Sequence, residues 1–156
     1  MSGKAIGYMP AIRHTWLFAP GSWRATGSFW ERGEIERAAR GSSIVRHTPD
    51  AWWIDGEIEI LAEHPIRFQN SYKIAAPRGN TNIIPWRSQN PAVGVLDGAF
   101  VVAGDTIMSL FRSEDGKFLG SEHLTRIAAD RYEARGMLGA SGDVISSWSM
   151  ELIRQS

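Results

Sequence analysis

Apolar and polar side chains alternate along most of the chain after residue 21, in short segments separated by Gly, Asp, Asn and Pro. Residues 52–61 show the pattern most clearly: one face carries Trp52, Ile54, Ile58 and Ile60. The positions between them are mostly acidic. A period of two with one apolar and one polar face is typical of a strand in an antiparallel sheet. The pattern therefore predicts an all-β protein.

Turn signals such as Pro49-Asp50 and Glu114-Asp115-Gly116 divide the chain into about nine or ten strands at the spacing expected of a barrel or sandwich. Residues 33–39 fit either a short helix or a strand. Residues 83–87 contain Pro85, which predicts an edge strand or a cover segment. Short sequential connections favour up-and-down order over a Greek key.

We therefore expect a single antiparallel up-and-down β-barrel of about 8–10 strands. Residues 1–20, with Pro10 and Pro20 as breakers, form an irregular N-terminal segment, and residues 21–156 form the barrel domain. Within the first segment, the consecutive apolar residues 16–18 are expected to plug one end of the barrel or to lie over its side.

The two ends of the predicted barrel resemble those of the calycin superfamily, which includes the lipocalins and the fatty-acid-binding proteins. The sequence Gly21-Ser22-Trp23 opens the first strand, and Arg154 lies near the end of the last. In that superfamily a Trp of the first strand packs under a late Arg and closes one end of the barrel. The resemblance implies a lipocalin-like barrel with a central ligand cavity, and it specifies no ligand.

The composition argues against nucleic acid, membranes and metal ions as binding partners. Seventeen basic residues balance seventeen acidic ones, so no large field steers nucleic acid or an anionic membrane. The chain has no cysteine, and its four histidines show no metal-ligand spacing, so neither a metal site nor a cofactor is expected. No apolar run is long enough to span a bilayer, and Arg13 and His14 interrupt any signal sequence. We expect a cytoplasmic protein.

Candidate ligand-binding residues lie on the apolar faces of the predicted strands. They are Trp23, Phe29, Trp52, Phe68, Asn70, Met108 and Trp148. Asn70 and Tyr72 are polar groups on the face that carries Phe68 and Ile74. In a filled interior, neighbouring strands would satisfy them, whereas in a hollow barrel they would offer hydrogen bonds to a ligand.

Candidate catalytic residues are Tyr72, Glu122 and His123. Glu122 and His123 are adjacent, so they point to opposite sides of their strand. The apolar pattern around them does not decide which of the two faces the interior. A buried carboxyl or imidazole with a shifted pKa is suited to act as a general base. The alternative is a surface charge, or a core histidine bonded to a carbonyl.

Three functions are compatible with this sequence. The first is a barrel that binds a small hydrophobic or aromatic molecule. The second is a small barrel enzyme, such as a cyclase, isomerase or hydratase, that acts on a hydrophobic metabolite. The third is a structural or interaction domain with a filled interior. Convergence of two polar candidates on one enclosed cavity favours catalysis, whereas a purely apolar lumen favours carriage. Exposed aromatics such as Trp30 and Trp53 also allow a homodimer.

Overall fold

The protein forms ten antiparallel strands, as seen in a computed structural model that describes residues 13–32 and 35–155. The described part of the chain contains no helix. The strands are β1 (Gly21–Glu31), β2 (Ile35–His47), β3 (Ala51–Ile60), β4 (Ile66–Ala75), β5 (Ile83–Asn90), β6 (Gly94–Ala103), β7 (Thr106–Ser113), β8 (Phe118–Ala128), β9 (Arg131–Ala140) and β10 (Asp143–Arg154). The all-β prediction is confirmed. Residues 35–39, left open between helix and strand, belong to β2, while Gly33 and Glu34 lie outside the described residues.

Each strand pairs with its neighbours along the chain, and β1 pairs with β10 to close the ring. The closed up-and-down barrel is therefore confirmed. A closed barrel has no edge, so the prediction that residues 83–87 form an edge strand or cover segment is wrong. The ring tolerates Pro85 because β4 and β5 pair only between Ser71–Ile74 and Trp86–Gln89, which leaves the proline outside that pairing.

Residues 13–20 cross one end of the barrel and close it. Leu17 is fully buried, and Trp16 packs edge-on against Phe100 with ring centroids 5.6 Å apart. His47 Nε2 donates to the Leu17 carbonyl at 2.7 Å. These contacts fix the segment across the opening, so one end of the barrel is closed by the chain itself.

His14 attaches this closing segment to β9 and to the turn before β7. Its Nε2 donates to the Gly104 carbonyl at 2.8 Å, so its Nδ1 accepts from the Tyr132 hydroxyl at 2.7 Å. The Tyr132 oxygen in turn accepts from the Thr15 amide at 3.1 Å. All of these polar groups are satisfied, as burial requires.

Trp23 and Arg154 lie directly opposite each other at the closed end, in the positions that the calycin resemblance implies. Arg154 Nη2 donates to the Pro20 carbonyl at 3.0 Å. The buried Trp23 ring packs edge-on to Tyr132 instead of under the guanidinium. Within the described residues, the cation–π contacts are found at Trp53 on the outer surface.

Aromatic rings lie over glycines on the inner wall. In three cases the ring occupies the space that a glycine side chain would take: Trp86 over Gly98, Phe111 over Gly120 and Trp148 over Gly136. A Cβ on Gly98 would lie 2.5 Å from Trp86 Cζ2. Because the rings lie against the wall, they leave open space in the centre of the barrel.

Candidate functional site

A cavity of about 270 Å³ occupies the centre of the barrel, and all ten strands contribute to its lining. Trp16 of the closing segment also lines it. The aromatic members of the lining are Trp16, Trp23, Phe29, Phe68, Tyr72, Phe100, Phe111 and Trp148. An apolar cavity of about 150 Å³ accommodates benzene. The present cavity therefore accommodates about two fused rings.

Residues with a hydroxyl, amide or carboxyl group form a minority of the lining, which contains no arginine, lysine or histidine among the described residues. Its polar members include Asn70 and Tyr72 of β4, Ser109 of β7 and Glu122 of β8. At the end opposite the closing segment, Asn90 Nδ2 donates to Asn70 Oδ1 at 2.7 Å. The interior is thus an aromatic chamber with a small number of hydrogen-bonding groups.

Glu122 faces this chamber, which resolves the choice between Glu122 and His123. Its Oε2 accepts from Trp148 Nε1 at 2.7 Å. Glu122, Gly136 and Trp148 are directly opposite one another on β8, β9 and β10. Because Gly136 has no side chain, the Trp148 ring extends across it and reaches the carboxyl. The strand register and the glycine between the two side chains therefore allow the hydrogen bond to form.

Burial raises the pKa of Glu122 above the ordinary glutamate value, because desolvation disfavours the charged carboxylate. The hydrogen bond from Trp148 acts in the opposite direction, since it stabilises the ionised form. None of the ion pairs found among the described residues includes Glu122. The carboxyl therefore faces the cavity without a salt-bridge partner.

Tyr72 faces the same space from β4. Burial raises the pKa of its hydroxyl, and the negative charge of Glu122 raises it further. Its ring packs edge-on to Trp86 with centroids 4.9 Å apart. The hydroxyl forms no side-chain hydrogen bond with the rest of the described chain. It is a neutral group that is free to bond a ligand.

Most of the predicted ligand-binding residues line the cavity: Trp23, Phe29, Phe68, Asn70 and Trp148. Trp52 lies instead at the closed end, where it stacks on His47 at a centroid distance of 3.9 Å and meets the edge of Phe18. The ligand-binding role of the lining residues stays a prediction.

Met108 and His123 do not line the cavity. On β7 the inward residues are Ile107 and Ser109, which are 0% and 4% exposed, and Met108 lies between them on the outer face. His123 is opposite Met108 in the register and is exposed. The placement of Met108 in the cavity is therefore wrong, and the inward position that the sequence left open between Glu122 and His123 belongs to Glu122. The reason is that β7 is apolar on both faces, with Leu110 50% exposed, so hydrophobicity does not identify its inner side.

Sequence reasoning also missed several lining residues, notably Trp16, Phe100, Ser109 and Phe111. Phe111 shares the inward phase with Ile107, so the correct phase of β7 would have identified it. The apolar run at residues 16–18 predicted a plug or a side cover, but it did not show that Trp16 lines the cavity, because that depends on how the closing segment folds over the barrel end.

None of the four histidines lines the cavity, so a histidine-ligated group would find no such ligand there. Over residues 13–32 and 35–155, no three His, Cys, Asp or Glu side chains cluster as a metal site would require. In the same ranges, no helix has the length and apolar character needed to cross a membrane.

No protein-family model matches the chain, and no curated protein matches it in sequence. Solved structures do match. The S-type phycobiliprotein lyase CPES from Guillardia theta is 10% identical with a TM-score of 0.64, over 88% of this chain and 89% of that one. Rv2717c from M. tuberculosis is 14% identical with a TM-score of 0.63, over 87% and 92% of the two chains. At these identities the likeness shows a shared fold, and the predicted calycin-like barrel is confirmed.

Proposed function

We propose that the protein binds a small, mainly apolar aromatic molecule in the central cavity. The observation that carries the proposal is the chamber of about 270 Å³ walled by aromatic side chains. Small-molecule sites are concave and mostly apolar, with a few polar groups that orient the ligand. The structurally similar phycobiliprotein lyase is consistent with a barrel that handles a small molecule.

Isothermal titration calorimetry with 2-naphthalenemethanol tests this proposal, because two fused rings match the cavity. We expect saturable binding of one molecule per chain. Ala25 lines the cavity, and Ala25→Phe would fill much of the free volume and abolish binding. The matched control is Thr26→Phe, which adds the same ring to the exposed face of the same strand and leaves binding intact. Binding that is absent in the unmodified protein, or unaffected by Ala25→Phe, would refute the proposal.

A second candidate function is acid–base catalysis on such a molecule. The observation that favours it is the convergence of Asn70, Tyr72 and Glu122 on one cavity. A carboxyl with a raised pKa is suited to accept and return protons, and a neutral phenol donates a hydrogen bond to a developing oxyanion. Glu122 would be the acid–base group and Tyr72 the hydrogen-bond donor.

Proton exchange in D₂O tests this second function with 2-tetralone, a bicyclic ketone of suitable size. Proton NMR would follow deuterium entering the carbons next to the carbonyl. We expect exchange above the buffer rate that is lost in Glu122→Gln and kept in Glu133→Gln, which changes an exposed residue of β9. Exchange at the same rate in both variants would exclude Glu122 as the base.

The cytoplasmic location and the homodimer stay predictions from the sequence. Trp53, one of the residues that suggested a dimer, lies on the outer surface with Arg46 and Lys73 over its ring at 5.9 and 5.6 Å. Light scattering after size-exclusion chromatography would measure the oligomeric state.

A further inference from the structure

One carboxyl oxygen of Glu122 is a hydrogen-bond acceptor without a donor from the protein. Trp148 satisfies Oε2, whereas Oε1 receives no hydrogen bond from any described residue. Among the described residues, the fully buried side-chain atoms without a hydrogen-bond partner are Trp16 Nε1, Trp23 Nε1, Trp86 Nε1, Ser88 Oγ and Arg126 Nε. Glu122 Oε1 also has no partner, but it is not one of these buried atoms and so keeps accessible surface. Its surface therefore faces the open space of the chamber, where a ligand would meet it.

The residues that line the cavity supply no positive charge to this oxygen. The titratable residues of the lining are Glu57 on β3, Tyr72 on β4 and Glu122 on β8. Glu57 is exposed, and Tyr72 is neutral at ordinary pH. With no arginine, lysine or histidine in the lining, nothing offsets a negative charge on a ligand. An acidic ligand would place a carboxylate in an apolar space where no lining residue offers a cation to pair with it, which is costly.

The walls of the chamber suit a cation. Aromatic faces attract cations through their quadrupoles, more strongly when the cation is desolvated. The lining supplies indole and phenyl rings: Trp148 bonds Glu122 directly, and Phe111 lies on the adjacent strand β7. A protonated amine would gain these contacts together with a charge-assisted hydrogen bond to Oε1.

We propose that the cavity selects a small aromatic amine in its protonated form, with Glu122 as counter-ion, and rejects carboxylates of the same size. This inference rests on the proposed binding function and adds the charge class of the ligand. Glu122 is then the specificity-determining residue. On binding, any proton held by Glu122 leaves for solvent, and the ammonium group takes its place as the partner of the carboxylate.

Three probes that share one ring system test the inference by calorimetry at pH 7. They are 2-naphthylmethylamine, 2-naphthalenemethanol and 2-naphthoic acid. A charge-assisted hydrogen bond implies that the amine binds at least about tenfold more tightly than the alcohol. We expect the acid to show no saturable binding. This ranking in the unmodified protein tests the inference without any variant.

Glu122→Gln keeps the shape of the side chain and removes the charge. We expect the ratio of amine to alcohol affinity to fall to about one in this variant, by the loss of that charge-assisted bond. Glu133→Gln removes a charge from the exposed face of β9 and should keep the original ratio. An equal fall in both variants would show a long-range effect of net charge and would overturn the role of Glu122.

The outcomes separate this inference from the proposed function. If the alcohol binds and the amine binds no better, the ligand-class inference is overturned while the binding function stands. If the acid binds most tightly, the inference is likewise overturned. If none of the three probes binds, both fail.

Discussion

Replacing Gly136 by alanine should be among the most damaging small substitutions in the barrel. A Cβ at this position would lie 2.6 Å from Trp148 Nε1 and closer still to two carbons of the indole ring. The ring cannot stay where it is. Moving it also removes the indole donor from the Glu122 carboxyl.

The structure allows the cost to be estimated from two contributions. Adding a methyl group to a packed site costs about 1–3 kcal/mol. A buried acceptor that loses its donor costs about 1–3 kcal/mol more. Replacing a strand glycine by alanine returns roughly 0.5–1 kcal/mol of backbone entropy. We expect Gly136→Ala to lower the free energy of unfolding by about 2–4 kcal/mol.

Gly56 supplies the matched control, because it also lies in a strand and lines the cavity. A Cβ there would be 3.7 Å from the Ser42 carbonyl oxygen and 3.9 Å from Ser43 Cβ, which are ordinary contacts. Gly56→Ala should therefore leave stability unchanged or raise it by up to about 1 kcal/mol.

Urea unfolding followed by far-ultraviolet circular dichroism measures both variants. With a slope of about 2 kcal/mol per molar urea, Gly136→Ala should move the midpoint down by roughly 1–2 M. The reasoning is refuted if the two alanine variants have the same midpoint, because the ring over Gly136 would then contribute nothing.

Three further results are expected. Tyr132→Phe removes the hydroxyl that pairs with both His14 and the Thr15 amide, so we expect a loss of about 1–3 kcal/mol and faster tryptic cleavage in the closing segment. Glu122 has a raised pKa, so the folded state holds its proton to higher pH than the unfolded chain does. The stability of the unmodified protein relative to Glu122→Gln should therefore decline as the pH rises from about 4.3, the pKa of glutamate in the unfolded chain, through the higher pKa of Glu122 in the folded state. Urea midpoints of both proteins, measured across this pH range, test the expectation. Glu59 should behave in the opposite sense, because two arginine partners hold its pKa below the ordinary value; stability that depends on it should be lost as the pH falls through that lowered pKa, with Glu59→Gln as the comparison.

The fold was predictable because many strands expose one strongly polar face. Residues 52–60 and 68–74 alternate cleanly, so Phe68, Asn70 and Tyr72 could be assigned to the interior from their spacing. Closure of the ring followed from Trp23 and Arg154, which the structure places opposite each other. Local alternation alone would not distinguish a barrel from an open sheet.

The site was harder to predict because its strands are less polarised. β7 and β8 carry exposed apolar residues, including Leu110 and Leu119, so the inner face could not be identified from hydrophobicity. Gly98 lies within β6 beneath the ring of Trp86. The contact between ring and glycine joins two different strands, so the residues next to either one in the sequence do not predict it.

The pairing between β4 and β5 is short, so fewer backbone hydrogen bonds hold these two strands together. Only Ser71–Ile74 and Trp86–Gln89 are in register there, so residues 66–70 have no β5 backbone partner. Local opening is least costly where few ladder hydrogen bonds cross, and amide hydrogen exchange should be fastest along those residues. Separation of β4 from β5 at these residues would open the side wall of the cavity near the end opposite the closing segment, and it would break the hydrogen bond from Asn90 to Asn70.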